Sequence, residues 1–452
     1  MELKFIMFIK IKQFKYEIAL LLILILASFL LLYKIDKIPY YQNGAFADEI
    51  HVFKSLTDLF DIITKPQIEY SALIFQRFVR ITTFTTTAYL FFVLPTYAVF
   101  KSIIALKVTN FFFAIFTIVI LYFFTSEFFN KKIALLSSFL LSINLSFINY
   151  SRIGIEDFTK IFFFVLSLFL FYRYYKTNKN NYLYFGSFIL GFGLCIHPSF
   201  LYSIFSLIIV VFIYKKMPSL KKLLFCVIFF ILGSFLLIAG WTVVLSEEYN
   251  FLLKNMIVTV YQHRNLDFIN NLATRMNQLI MLNGEFYSWI FFAGIFYYIL
   301  RKNKKMIFLI LLTLTTLPIS TLSYTALNPH HLLQLIAITS IITAGFILDI
   351  FSKTNKFLAS IFLIIILISN FIILYYYFNQ YTGSDFGYKA LCNYLNEKDA
   401  KVVVSSNVLK VILPFCYKRE NVIEKENAIE GLSYMLDNSR IWYILEIIEN
   451  NT

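Results

Sequence analysis

Apolar residues in this chain run in long unbroken blocks separated by short polar stretches. They do not alternate, and they do not recur on one stripe every three to four positions. A block of roughly 20 apolar residues is the length a helix needs to cross a bilayer. Blocks approaching that length cover 18–33, 103–128, 133–150, 158–172, 182–196, 200–214, 223–244, 286–300, 306–325, 332–350 and 357–378. They predict an all-α polytopic membrane protein of about eleven transmembrane helices. The first block follows Lys4, Lys10, Lys12 and Lys15, as in a signal peptide. Tyr33-Lys34-Ile35-Asp36 offers no small-residue cleavage site, so a retained first helix with its N-terminus inside is expected. Thr87–Phe100 is also apolar, but it is short and carries Pro95. It reads as a juxtamembrane or re-entrant helix.

Composition sharpens the class. Of 452 residues, 59% are hydrophobic and 15% charged, where a soluble domain is about half apolar and a quarter charged. The formal net charge of +14 would suggest a nucleic-acid partner in a soluble protein. Here the basic residues sit in the short breaks between blocks. They are Lys131-Lys132; Arg173, Lys176 and Lys179; Lys215-Lys216 and Lys221-Lys222; Arg301-Lys302 and Lys304-Lys305; and Lys353 with Lys356. With the N-terminus inside, every one of these breaks falls on the cytoplasmic side, as positive-inside topology requires. No basic stripe remains to bind nucleic acid.

The same parity divides the chain. Residues 1–378 form a transmembrane domain, with 34–102 as its first outer loop carrying juxtamembrane helices. Residues 379–452 are hydrophilic and alternate strand-like runs, Lys401–Ser405 and Arg440–Ile447, with helical ones. They predict a small extracytoplasmic α/β domain. Of four cysteines, Cys195 and Cys226 lie in apolar blocks and read as packing. Cys392 and Cys416 lie in the tail, and whether they pair is open. Glycine is scarce, at 13 residues, so GxxxG contacts are not expected to organise the bundle.

Candidate chemistry gathers at the outer ends of the blocks. Asp48 and Glu49 lie in the first outer loop, where a carboxylate could take a proton from a hydroxyl nucleophile or could simply be solvated. Tyr150-Ser151-Arg152-Ile153-Gly154-Ile155-Glu156-Asp157 joins two apolar blocks. Arg152 and Glu156 would share a face if helical. Arg152 offers a fork for phosphate, and Glu156 or Asp157 could hold an acceptor, a metal or that arginine. The alternative is an ion pair at a helix end, though three charges at a membrane boundary are costly. His197, His330 and His331 fall at outer turns, with Pro329 favouring a turn before the histidine pair and His330 opening the next helix. There the imidazoles could donate to a phosphate beside a helix N-terminus. Among its apolar residues, loop 245–285 holds Glu247, Glu248, His263, Arg264, Asp267 and Arg275, most of which read as structural filler on amphipathic surface helices.

Taken in order, these segments resemble the superfamily C glycosyltransferases. The likeness is to the group of protein O-mannosyltransferases and lipid A aminoarabinose transferases, and covers roughly residues 15–350. It is carried by Leu106-Lys107-Val108-Thr109-Asn110, Phe128–Leu136, Tyr150-Ser151-Arg152 with Glu156-Asp157, Tyr182–Leu194, Asn328–Gln334, and the first-loop pair Asp48-Glu49. Where the group has a basic residue and prolines after its first loop, this chain reads Thr86-Thr87-Ala88-Tyr89. Lys107, Thr109 and Gln334 also depart from it.

The resemblance implies a hexosyl- or pentosyltransferase in a bacterial or archaeal plasma membrane. It would move a sugar with inversion from a polyprenyl-phosphate donor to a lipid, glycan or protein acceptor on the outer face. Asp48 would be the general base, with Glu49 beside it. Arg152 with Glu156 or Asp157 would hold donor phosphate or acceptor, and His330 would contact phosphate, with His197 and His331 as further candidates. No cofactor is required by the pattern, and a divalent metal stays open. A transporter, a non-enzymatic binding protein and a polysaccharide polymerase or ligase are the competing classes. Charges at helix ends and the early acidic loop favour the transferase.

Overall fold

In the computed structural model, the described residues are 14–33, 35, 87–197, 199–213, 218–235, 268–321, 329–353 and 356–380, a few positions between 52 and 64, and three short strands. The helices are α1 (Lys15–Leu32), α2 (Thr87–Phe100), α3 (Ile104–Phe128), α4 (Lys131–Ser142), α5 (Leu145–Ser151), α6 (Thr159–Thr177), α7 (Asn180–Ile196), α8 (Phe200–Ile213), α9 (Leu220–Gly233), α10 (Phe268–Asn283), α11 (Glu285–Leu300), α12 (Lys304–Thr321), α13 (Gln334–Lys353) and α14 (Lys356–Gln380). Glu156–Phe158 and Pro329–Leu332 are single 3-10 turns.

This is a polytopic membrane bundle. Among the described residues, five helices are long and apolar enough to cross a bilayer, or seven if two sharply bent pairs each count as one span. Their outward faces are apolar too. On α3, Phe112, Phe116 and Phe123 point outward while Asn110, Phe113 and Thr117 are buried. An apolar face left outside the core in this way is what lipid covers.

Two details differ from the pattern of blocks. The block 133–150 is not one helix. Asn144 caps α5 by accepting from the Phe147 amide at 2.9 Å, and α4 and α5 meet at 59°. Glycine also matters more than its scarcity suggested. A Cβ on Gly191 of α7 would lie 2.1 Å from the Phe230 carbonyl oxygen of α9, and one on Gly233 of α9 would lie 2.1 Å from the Phe188 oxygen of α7. The two helices therefore touch backbone to backbone, which small residues permit.

The bundle has two chemically distinct ends. At one, Glu127 at the end of α3 pairs with Arg173 at 2.5 Å and Lys176 at 3.5 Å, both from the end of α6. Lys131 pairs with Glu17 at 2.7 Å, Lys305 donates to the Phe128 carbonyl, and Lys222 donates to the Tyr174 hydroxyl at 3.4 Å. Four of the predicted basic breaks are thus tied to one end. The first turn of α6 lies at the other end, about 28 Å away at a rise of about 1.5 Å per residue.

Helix α2 belongs to that second end. Its Tyr89 hydroxyl donates to the Leu106 carbonyl at 3.3 Å, and Thr96 meets Thr109 at 2.7 Å. Both contacts fall on the first two turns of α3, so α2 crosses them and does not run down the bundle. Phe53 and Phe60, from the loop before α2, stack edge-on against Tyr97. In the tail, β1 (Lys401–Val404), β2 (Val422–Glu424) and β3 (Trp442–Leu445) form a parallel sheet ordered β2-β1-β3, with Val402 beside both Val422 and Tyr443. Two of these strands were legible as β-branched or aromatic runs. Cys392 and Cys416 lie outside the described residues.

Candidate active site

The site begins with how one turn is held. Helix α5 stops at Ser151, and Arg152 is its C-cap. The chain is then non-helical to Ile155 before the Glu156–Phe158 turn opens α6. Arg152 and Glu156 therefore do not share a helical face, contrary to the helical spacing. Asn110 of α3, fully buried, sets the path of this turn. Its Nδ2 donates to the Ile153 carbonyl at 2.5 Å and the Ile155 carbonyl at 2.9 Å, and its Oδ1 accepts from Tyr89 at 3.1 Å. Both amide hydrogens are used on backbone oxygens that would otherwise be buried without a donor.

The turn presents Asp157 to three other segments. Its Oδ1 lies 2.5 Å from Lys160 Nζ and 3.5 Å from His197 Nε2, and its Oδ2 lies 3.7 Å from His330 Nε2. Lys160, one turn into α6, has no solvent exposure and also donates to Ser199 Oγ at 2.8 Å. Ser199 Oγ is 2.7 Å from His197 Nδ1, and the Ser199 amide donates to that same nitrogen at 3.0 Å. The His330 and His331 rings meet edge to face at 4.5 Å, and His197 and His331 are 5.4 Å apart. His330 also packs edge-on against Tyr150 at 6.3 Å. Arg152 and Glu156 are buried in the same turn, at 2% and 8% exposure.

Burial pushes the His197 imidazole down to about 3 and that of His331 down to about 2, with the Asp157 charge opposing only in part. Both are therefore neutral at pH 7, and each has one ring nitrogen carrying a lone pair. For His197 that nitrogen is Nδ1, because it accepts the Ser199 amide. Its Nε2 then bears the hydrogen and lies 3.5 Å from Asp157 Oδ1.

This bears on metal binding. Ligand atoms of Asp157, His330 and His331 lie within 4.8 Å of one another, as do those of Glu156, Asp157 and His197. The tautomer of His197 argues against the second group. The first also contains His331, whose Nδ1 is buried with no hydrogen-bond partner, a polar atom left for a further ligand to satisfy. Two histidines and one carboxylate suit zinc and similar first-row divalent ions.

Of the residues singled out in the sequence, Glu156, Asp157, Arg152, His197, His330 and His331 gather at this end of the bundle. His330 and His331 sit in the 3-10 turn and not in the first turn of α13, which starts at Gln334. Asp48 and Glu49 lie outside the described residues. Lys160 and Ser199 had no place in the sequence pattern, and Asn110 stood there only as the end of the Leu106–Asn110 segment, with no role given to it. The signal for Lys160 was available, since a lysine inside an apolar block needs a partner and Asp157 stands three residues before it. Arg275, in a loop expected to form amphipathic surface helices, is fully buried. Its Nη1 donates to Gln278 Oε1 at 2.9 Å and its Nη2 to the Ser320 carbonyl at 3.1 Å, which fastens α10 across the end of α12.

Comparison with known proteins gives this arrangement a setting. Residues 96–243 match the family described as dolichyl-phosphate-mannose-protein mannosyltransferase. No curated protein matches the sequence. The structure of ArnT from Cupriavidus metallidurans bound to undecaprenyl phosphate superposes with a TM-score of 0.62 at 9% identity, over 95% of this chain and 90% of that one. The apo oligosaccharyltransferase of Archaeoglobus fulgidus superposes at 0.53 with 13% identity, over 93% of this chain and 65% of that one. The same enzyme in complex with Zn and sulfate gives 0.51 at 13% identity, over 91% and 62%. The bundle shares the fold of ArnT and of this oligosaccharyltransferase.

Proposed function

We propose that this protein moves a sugar from a polyprenyl-phosphate donor to a lipid, glycan or protein acceptor at the outer membrane face, by a single displacement that inverts the anomeric centre. One observation carries the reading: a buried assembly of acid, ammonium and imidazoles at the end of the bundle opposite the basic breaks. Positive-inside topology puts the basic end in the cytoplasm and the assembly outside. On the same fold, ArnT binds undecaprenyl phosphate and a dolichol-phosphate accompanies the Archaeoglobus fulgidus enzyme.

The chemistry follows from where charge develops. As the glycosidic bond breaks, negative charge grows on the departing lipid phosphate, and groups aimed there lower the barrier. Arg152 supplies a planar fork with a permanent charge, and His330 an imidazole at the turn edge. Asp48, or failing it Glu49, takes the proton from the acceptor hydroxyl on the opposite side of the sugar. Glu156 and Asp157 order the phosphate side. A divalent cation in this site would be held by Asp157, His330 and His331 and would supply a Lewis acid.

The burial of Val52 and the packing of Phe53 and Phe60 on Tyr97 support a first loop, 34–102, that folds back on this end. Residues 379–452, with their parallel sheet, are read as a small outer α/β domain following the transmembrane part, 1–378. A transporter is disfavoured because Asp157 and Lys160 lie at a helix end and not at mid-span.

The test is reconstitution into proteoliposomes with a panel of polyprenyl-phosphate sugars and candidate acceptors. Transfer with release of the polyprenyl phosphate is expected. Absence of both transfer and undecaprenyl-phosphate binding would overturn the reading. The sidedness has its own test: Ser219→Cys, at the exposed start of α9, should be labelled only from the cytoplasmic face.

A further inference from the structure

We infer that Lys160 and Ser199 are positioning residues: the Ser199 amide fixes the tautomer of His197, and its hydroxyl ties that imidazole to the Lys160 ammonium, which sets the rotation of the Asp157 carboxylate. The inference rests on the sugar-transfer reading for its kinetic consequence only. Its structural content stands on the geometry of four side chains from three segments.

The four form a closed ring. Lys160 Nζ donates to Asp157 Oδ1 at 2.5 Å and to Ser199 Oγ at 2.8 Å. With one lone pair of Ser199 Oγ receiving the ammonium, its hydrogen turns to the acceptor beside it, His197 Nδ1 at 2.7 Å. That nitrogen also receives the Ser199 amide at 3.0 Å. Two donors on Nδ1 leave Nε2 as the protonated nitrogen, and Nε2 faces Asp157 Oδ1 at 3.5 Å, which closes the ring. Ammonium and imidazole thus both engage Oδ1. The other carboxylate oxygen, Oδ2, is turned toward His330. The ring therefore selects which oxygen of Asp157 faces the incoming ligand and which is committed to the protein.

A buried ion pair that merely holds helices together would need only Lys160 and Asp157. Ser199 is what distinguishes the two accounts, because it touches the pair and the imidazole together. A second layer that orients working side chains by hydrogen bonds is a recurring way to set a histidine tautomer.

Ser199→Ala leaves the Lys160–Asp157 pair and the Ser199 amide in place, and removes the hydroxyl's two bonds, to Lys160 and to His197. Ser199→Thr keeps the hydroxyl. The direct readout is nitrogen-15 NMR of the histidine-labelled full-length protein in nanodiscs. There are five histidines, and the His197 signals are assigned by their loss in His197→Gln. The wild type and Ser199→Thr should show His197 as the Nε2–H tautomer. Ser199→Ala should keep that tautomer, held by the backbone amide, with the Nδ1 resonance shifted by loss of the hydroxyl hydrogen bond. In transfer assays, Ser199→Ala should lower kcat by about tenfold with little change in KM for the lipid donor, as expected for misorientation without lost contact. Ser199→Thr should restore it. Thermal unfolding of Ser199→Ala within a few degrees of wild type controls for folding.

A wild-type His197 carrying its hydrogen on Nδ1, or a Ser199→Ala spectrum identical to wild type, would overturn the inference. If the wild type transfers no sugar from any donor, the functional reading fails. The NMR result then decides the positioning claim by itself.

Discussion

The two ends of α6 hold the same kinds of charge in opposite circumstances. At the basic end, Glu127 meets Arg173 and Lys176 with all three side chains partly exposed. At the other, Asp157 meets Lys160 with the ammonium wholly out of solvent, and the carboxylate is further engaged by imidazoles on both oxygens. Water screens the first set and can replace any member lost. The second set has only its own members to satisfy it, so its geometry is over-determined. Burying a charge pair is a poor way to gain stability, since desolvation offsets the attraction. Keeping one at the end of an apolar bundle is better explained by what it organises than by what it stabilises.

The largest effect that would test this contrast lies on the first loop. If the acid–histidine end performs sugar transfer with a base from that loop, Asp48→Asn should lower turnover by about 10²–10⁴-fold. Undecaprenyl-phosphate binding should stay intact, and Glu49→Gln should act as a milder control. Near-normal turnover in Asp48→Asn would move the base elsewhere, with Glu49 and Glu156 next in line.

Breaking the buried pair comes second. Asp157→Asn leaves the Lys160 ammonium buried against a neutral amide, and should cost about 3–5 kcal/mol of stability, read as a fall in the unfolding temperature in detergent. Third, Arg152→Ala should weaken use of the lipid donor by about 1.5–3 kcal/mol, the range for hydrogen bonds to charged groups. Arg152→Lys should fall between Ala and wild type, because it keeps the charge and loses the fork. Unchanged donor affinity in the alanine variant would remove Arg152 from the phosphate side. The smallest effect belongs to the basic end. Glu127→Gln should change stability by less than about 1 kcal/mol, and by still less at high salt. A large loss there would erase the distinction between the ends.

How far the sequence could be read follows from the same contrast. Apolar blocks are a one-dimensional signal, so α3 and α11 fall within a residue or so of blocks 103–128 and 286–300. The candidate histidines and acids stood out because polar residues between such blocks are few. Lys160 was hidden by the averaging that finds a block, being one charge inside an apolar run. Ser199 looked like any small residue at a helix start. Asn110 has a role only once Ile153 and Ile155 are brought beside it, which is a property of tertiary structure. The break at Asn144 was missed for a related reason: a cap is visible in sequence only where the apolar pattern also stops, and here it continues on both sides. Gly191 and Gly233 were lost in a count, because packing depends on where a glycine sits and not on how many there are.

That glycine contact also constrains how the bundle can move. Each backbone rests in the place where the other would carry a methyl group, so α7 and α9 cannot slide past each other without driving side chains into the crossing. They can still turn about it. The crossing sits at the last turn of α9 and in the second half of α7, so a small tilt of α9 about it would swing the Leu220 end.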